Sequence, residues 1–329
     1  MAAPTTQLDP TKLKAFENAA AGHDGVLLDP SGELLIKPCT QAEIDFYQQT
    51  QLDHPDFAGL MPAFMGTLSL GAPAQATDAV GAHEILATAQ AQKDNGTKIE
   101  TKTAIVLENL EHGFTHANVL DLKLGSRLYD AKTTAPEKAD RLDKVASETT
   151  TGSLNFRVAG MKVWNGRSFD IYDKYYGRKF NADNIKDAFA TFFAGLSTSL
   201  ELDEAAELLE TIEADISKAR HMLERSEERM YSASLLVIYE GDSTALDTLM
   251  GGVPKTPRVT EKAPTLGEVK QSEDDEEEEE DDPPVAYKVN MIDFAHAAWT
   301  PGQGQDENVI VGLKNVEKQM DGLISRLVE

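Results

Sequence analysis

The sequence predicts an α+β fold, and three observations carry that reading. Several short runs of aliphatic residues alternate with polar ones or end in glycine-bearing turns, as strands do. One long stretch repeats its apolar residues at helical spacing. A strongly acidic segment interrupts what otherwise reads as a pair of neighbouring strands.

In chain order, Gly22 to Lys37 reads as a hairpin. Gly25-Val26-Leu27-Leu28 and Glu33-Leu34-Leu35-Ile36-Lys37 flank the turn residues Asp29-Pro30-Ser31-Gly32. Gln41 to Gln51 is helical in pattern, and Phe64 to Leu68 returns to strand character. Thr103 to Leu110 predicts a buried strand ending in a polar turn. From Val119 to Gly125 the alternation is strict: Leu120, Leu122 and Leu124 face one side, Asp121 and Lys123 the other. Leu208, Leu209, Ile212, Ile216, Met222 and Leu223 predict one amphipathic helix from Glu201 to Met230, running into a strand from Ser234 to Tyr239. Gly251 to Pro284 combines prolines with a dense run of like charge, which cannot repay the entropy of ordering, so a disordered surface loop is expected there. Its place before Met291-Ile292-Asp293-Phe294 suggests an insertion into a hairpin.

The net charge of −25 narrows the partners. The acidic run Glu273 to Asp282 supplies −10 of it, and the remainder is still acidic. General electrostatics therefore oppose approach to DNA, RNA or an anionic membrane, and neither direct nucleic-acid binding nor stable membrane association is expected. A polyanion would need a local basic patch. One cysteine, Cys39, allows no internal disulfide and suits a reducing compartment.

Asp121 and Lys123 share one face of an otherwise apolar strand, which a cross-strand ion pair at a sheet edge would also explain. A second acid, Asp293, is expected inside another apolar strand, where a carboxylate is costly unless paired or bound to metal. Phosphoryl transfer asks for such groups: a carboxylate holding Mg²⁺ on nucleotide phosphates, lysines neutralising the transferring group, and an acid to take the acceptor proton. Lys37, at a strand end after the hairpin, is a candidate phosphate lysine, although exposed strand-end lysines are common. No GxxxxGK[ST] loop and no protein-kinase signature set is present.

These residues also carry a resemblance. Asp121-Leu122-Lys123-Leu124-Gly125 resembles the P-x-x-x-D-x-K-x-G signature of the inositol polyphosphate kinase family, with Ala117 in place of its proline. Ser232-Ala233-Ser234-Leu235-Leu236, Ile292-Asp293-Phe294-Ala295-His296 and Glu108-Asn109-Leu110 are similar to three further elements of the family, in the same order. The resemblance implies a two-lobed inositol polyphosphate kinase fold distantly like protein kinases, with a smaller lobe over residues 1–114 and a larger one over 115–329. It implies ATP and Mg²⁺ as cofactors. Lys37 would contact ATP phosphates, and Glu108 and Leu110 would hold adenine through their backbones. Asp121 would stand by the ribose and the acceptor hydroxyl, in reach of acting as base, and Lys123 would bridge the γ-phosphate and the acceptor. Ser234 would support the phosphate site, Asp293 would ligate Mg²⁺, and His296 would touch the inositol phosphate. Asp306 and Asn308, in Gly302-Gln303-Gly304-Gln305-Asp306-Glu307-Asn308, match a further family element.

Lys138, Arg141 and Lys144 fan over roughly 120° of a helix and are candidate contacts to the substrate phosphates, or else a solvated face balanced by Glu137, Asp140 and Asp143. Among the branches of the family, Lys174 to Lys179 resembles a segment of the hexakisphosphate kinases. Thr300 to Ile310, Ser147 to Leu154 and the acidic insertion resemble fungal multikinases, which is the branch expected. That resemblance implies phosphorylation of inositol 1,4,5-trisphosphate to tetrakis- and pentakisphosphate, residence in the nucleus and also the cytoplasm, and association with a MADS-box transcription complex. The alternatives are a hexakisphosphate kinase, a non-catalytic nuclear scaffold and a lipid kinase. A monomer is expected, since no heptad is evident.

Overall fold

In the computed structural model, which describes residues 12–16, 20, 25–69, 103–251 and 284–328, the strand-like runs pair into antiparallel sheets. Of the loop expected from Gly251 to Pro284, residues 252–283, with the acidic run, lie outside the described residues.

The first sheet holds β1 (Lys14–Ala15), β2 (Leu27–Leu28), β3 (Leu34–Pro38), β4 (Phe64–Ser69) and β5 (Thr103–Glu108), in the order β1-β2-β3-β5-β4. The Asp29 carboxylate organises the β2–β3 turn by accepting from the Gly32 and Leu34 N–H groups at 3.0 and 2.9 Å. Helix α1 (Gln41–Asp53) begins where the Thr40 hydroxyl accepts the Glu43 N–H at 3.3 Å. It ends ahead of Pro55, which opens the single turn α2 (Pro55–Ala58).

The second sheet holds β6 (Ala117–Leu124), β7 (Phe156–Trp164), β8 (Phe169–Tyr172), β10 (Ser234–Glu240) and β11 (Tyr287–Ile292), in the order β11-β10-β6-β7-β8. A two-stranded ribbon pairs β9 (Glu228–Met230) with β12 (Ala297–Trp299). Around these lie α3 (Pro136–Ser147), α4 (Thr150–Leu154), α5 (Lys174–Gly177), α6 (Lys186–Phe192), α7 (Leu196–Ser199), α8 (Leu202–Leu223), α9 (Ser243–Gly251) and α10 (Glu307–Val328).

Strand β6 is central. Leu120, Leu122 and Leu124 are buried to within 1% of full enclosure, in one core with Val309, Leu313 and Val316 of α10. Each such side chain contributes about 1.5–3 kcal/mol by leaving water. Asp121 and Lys123 occupy the other face. The reading of an edge-strand ion pair is thereby overturned, because β6 has β10 on one side and β7 on the other.

Two element boundaries differ from expectation. The long helix stops at Leu223 rather than Met230. The Ser226 hydroxyl folds back onto the Met222 carbonyl at 2.8 Å, and Glu228–Met230 is captured as a strand by Ala297–Trp299. Tertiary pairing there overrides the helix-forming Glu, Arg and Met. Asp293 is not inside a strand either. β11 ends at Ile292, paired with Ser234, and Asp293 turns into the left-handed region with φ 69°. The pairing of β10 with β11 from Ser234↔Ile292 to Tyr239↔Tyr287 bears out the expected hairpin around the insertion.

Candidate active site

A cleft opens between the first sheet and the β10–β6 face of the second. Its apolar wall includes Val26, Leu35, Leu107, Leu110 and Ile292, and its polar end includes Lys37, Asp121 and Asp293. The chain leaves β5 through Glu108-Asn109-Leu110, all of which line it. Asn109 shapes this turn: its side-chain amide donates to the Gly32 carbonyl at 2.7 Å, and its N–H donates to the Glu33 carbonyl at 2.7 Å. The Glu108 carboxylate is engaged with Lys288 at 2.9 Å, and its N–H donates to the Ala63 carbonyl at 2.9 Å. Glu111 also lines the cleft and pairs with buried Lys162; burial raises the Glu111 carboxyl and the Lys162 charge opposes the rise.

At the polar end, the carboxylate of Asp293 spans two ammonium groups. Lys37 Nζ stands 3.1 Å from Oδ1 and Lys123 Nζ 3.3 Å from Oδ2. Lys37 makes a second, shorter bond of 2.8 Å to Glu43 of α1, and Lys123 donates to the Ser232 carbonyl at 2.8 Å. Burial opposes the Lys37 charge, but Asp293 and Glu43 outweigh it and hold the ammonium above the ordinary lysine range. The left-handed backbone at Asp293 takes its side chain out of the strand alternation and onto this pair; aspartate is among the few residues that tolerate it.

A second pocket adjoins the first and shares Lys37 and Asp293 with it. Thr40, Glu43, Lys123, Lys138, Tyr231, Ser232 and His296 complete its polar lining. Desolvation, then Lys138 and to a lesser degree Lys123, push the His296 imidazole below its ordinary range, with Glu43 pulling the other way. Of the helix α3 cations, Lys138 alone lines this pocket. Lys144 is exposed and 3.9 Å from Glu148, and Arg141 is exposed. Ser234 is fully buried, opposite both Lys123 and Ile292, and lines neither pocket. Asp306 and Asn308 are placed as a clamp. Asp306 Oδ2 accepts the Met230 N–H at 2.8 Å, while Asn308 Oδ1 accepts the Arg127 N–H at 2.9 Å and its amide returns to the Arg127 carbonyl at 3.1 Å. The clamp passes so close that a Cβ on Gly125, whose φ is +88°, would lie 2.3 Å from the Asn308 amide nitrogen.

Sequence reasoning missed Glu43, which sits in α1 between Ala42 and Ile44 like any helix glutamate; only its 1% exposure marks it. It also missed Ser232, whose φ of 62° turns its carbonyl toward Lys123.

The donor set suits a divalent cation delivered with phosphates. Among the described residues no three His, Cys, Asp or Glu side chains cluster as a complete metal cage. A carboxylate shared by the two pockets, with substrate phosphates supplying the other oxygens, is how such hard ions are commonly held.

An apolar cleft between the two sheets, a lysine–carboxylate cluster and an adjoining cationic pocket define a phosphotransferase site. Residues 104–321 match the inositol polyphosphate kinase family. An inositol polyphosphate multikinase of Saccharomyces cerevisiae is 32% identical over 92% of this chain and 96% of its own length. Inositol hexakisphosphate kinase 1 of Rattus norvegicus is 30% identical over 66% of this chain and 51% of its own. The crystal structure of a Saccharomyces cerevisiae inositol phosphate multikinase in complex with ADP and Mn²⁺ superposes with a TM-score of 0.64 at 28% identity, covering 89% of this chain and all of that one. The chain belongs to the inositol polyphosphate kinase family, and it is a kinase.

Proposed function

We propose that the protein is an inositol polyphosphate multikinase, transferring the γ-phosphoryl group of ATP to inositol 1,4,5-trisphosphate and then to the tetrakisphosphate product. The observation that carries this is the sharing of Lys37 and Asp293 by an apolar cleft and a cationic pocket, which sets a nucleotide phosphate chain and a polyanionic acceptor end to end. Likeness to a multikinase along nearly its whole length, against half the length of a hexakisphosphate kinase, favours that branch.

In this reading the Glu108–Leu110 backbone holds adenine, and Lys37, braced by Glu43, neutralises the nucleotide phosphates. Mg²⁺ would be held by Asp293 and would supply charge neutralisation on the phosphates. Asp121 takes the proton of the attacking hydroxyl as its oxygen bonds to phosphorus, and ADP departs with the bridging oxygen. Lys123 moves from its ion pair with Asp293 to the transferring group, and Lys138 and His296 hold acceptor phosphates. A family of partly paired cations suits this task, since an acceptor carrying about −1.5 to −2 per phosphate would otherwise be repelled by so acidic a chain.

Residence in the nucleus and also the cytoplasm, and docking to a transcription complex, belong to the same proposal by family likeness. Imaging of a tagged chain and co-purification test them. The activity itself is tested with purified protein, Mg-ATP and either inositol 1,4,5-trisphosphate or hexakisphosphate, with Asp293→Asn as control. Tetrakis- and pentakisphosphate, lost in the variant, are the expected products. Diphosphate formed only from hexakisphosphate would move the protein to the other branch, and no transfer to either would leave the scaffold.

A further inference from the structure

A polar row crosses the second sheet beneath the acceptor pocket and does not stop at Lys123. Ser234 on β10 faces Lys123 on β6, and Lys123 in turn faces Arg157 on β7. Arg157 is half-buried, with its Nη1 donating to the Thr151 hydroxyl of α4 at 2.9 Å. Just beyond it, a β-bulge lets Gly160 sit opposite Asp121 and Val158 opposite Leu122.

Helix α5 is pressed onto this strand. A Cβ on Gly177 would lie 1.9 Å from the Val158 carbonyl oxygen, so glycine is required for the approach. The next residue, Arg178, is thereby delivered beside Arg157, its guanidinium resting 5.5 Å from the Tyr175 ring centroid. Arg157 thus stands opposite Lys123 in the catalytic row, and Arg178 follows the glycine packed on the residue after it, near enough for its charge to act on Arg157. Burial first, and then Arg178, pull the Arg157 guanidinium down to about 10, while Asp121 pulls it up. Neither arginine forms an ion pair with a carboxylate among the described residues. In a chain with so large an excess of acid, two cations that form no salt bridge, with Asp121 acting on Arg157 only across the row, are an arrangement that an anion resolves. Planar guanidiniums suit a phosphate, which they can grip bidentately.

We propose that Arg157 and Arg178 form a second phosphate subsite, next to Lys123 on the β7 side, which binds an acceptor phosphate remote from the transfer point. The proposal rests on the reading of the protein as an inositol phosphate kinase. It adds a specificity device to that reading. One cationic wall holds a polyphosphate in one orientation; two walls flanking a single Asp121–Lys123 pair let the same ring be seated in more than one, so that different hydroxyls reach the same base. Removing the second wall therefore weakens acceptor binding and biases which additions occur.

The test compares Arg178→Gln and Arg157→Lys with Arg167→Gln, which removes the same charge from an exposed turn between β7 and β8. Arg178→Gln is expected to raise the acceptor KM about tenfold with the ATP KM unchanged, and to alter the ratio of second to first phosphate addition. Arg157→Lys, which keeps charge but loses the fork, is expected to do so in part, and Arg167→Gln not at all. An acceptor KM and product ratio unchanged in both Arg178→Gln and Arg157→Lys, in an enzyme that turns over, would overturn the subsite. If the wild-type protein transfers no phosphate to any inositol phosphate, the kinase reading fails separately. The subsite is then decided by titration of inorganic pyrophosphate with ADP saturating the nucleotide cleft: binding weakened about tenfold by Arg178→Gln supports it, and equal binding rejects it.

Discussion

The Asp293 carboxylate and the Lys123 ammonium meet at 3.3 Å across 170 positions of sequence, and the same carboxylate reaches Lys37 at 3.1 Å. One acid thus holds both the lysine that the two pockets share and the lysine that only the second pocket presents.

Asp293→Asn separates the charge from the backbone, because asparagine also accepts a left-handed conformation. Transfer is expected to fall by about 10³-fold or more, while the thermal midpoint moves by only a few degrees. Asp293→Ala would add about 1–2 kcal/mol of backbone strain at φ 69° and blur the comparison. Turnover and melting curves measured on both variants check this.

Glu43→Gln leaves Asp293 as the carboxylate paired with Lys37. The nucleotide KM is expected to rise about tenfold, and the loss of a buried charged partner to cost about 1–3 kcal/mol of stability. A steady-state titration of ATP, together with urea denaturation, gives both numbers.

Glu228 offers a pH signature away from the cleft. It is fully buried on β9, and burial, with Asp306 adding to it, pushes its carboxyl up to about 7 against an ordinary value near 4.5. The folded protein therefore keeps a proton that the unfolded chain has released. Its contribution to stability is complete below about pH 4.5 and is lost as pH rises to 7, by about 3 kcal/mol in all. Glu228→Gln, neutral throughout, is expected to melt higher than the wild type above pH 7, with the gap closing toward pH 4.5.

Gly125→Ala is expected to destabilise by about 1–3 kcal/mol, since alanine meets both the positive φ and the Asn308 amide. Pairing it with Asn308→Ala should relieve the clash while still losing the Arg127 bonds, so the double variant recovers only part of the deficit. Chemical denaturation of the three variants checks this.

Much of the fold was legible because it rests on local pattern. The leucines of β6 alternate as a strand must, and the apolar spacing of α8 marks its buried face. What was not legible depends on partners distant in sequence. Nothing between Leu223 and Met230 announces a helix end, because the strand there exists only through residues 297–299. Asp293 reads as one more strand residue until its left-handed turn is seen. In the candidate site, Asp121, Lys123, Asp293 and His296 stand out by motif and Lys37 by its place at a strand end, and the structure gathers them across the two adjoining pockets. Glu43 carries no local mark, since its role comes from the position of α1 against β3. Conversely, a helical wheel cannot say which cation of α3 faces the cleft; the docking of the helix selects Lys138.

The double tether of Asp293 has a thermodynamic corollary. A ligand in one pocket that draws Lys37 or Lys123 away changes the charge seen from the other pocket, with no hinge needed to carry the message. Nucleotide and acceptor should therefore bind with coupled affinities. By linkage, the factor by which the acceptor changes the dissociation constant of the nucleotide equals the factor in the reverse direction, and in Asp293→Asn that shared factor should collapse toward one.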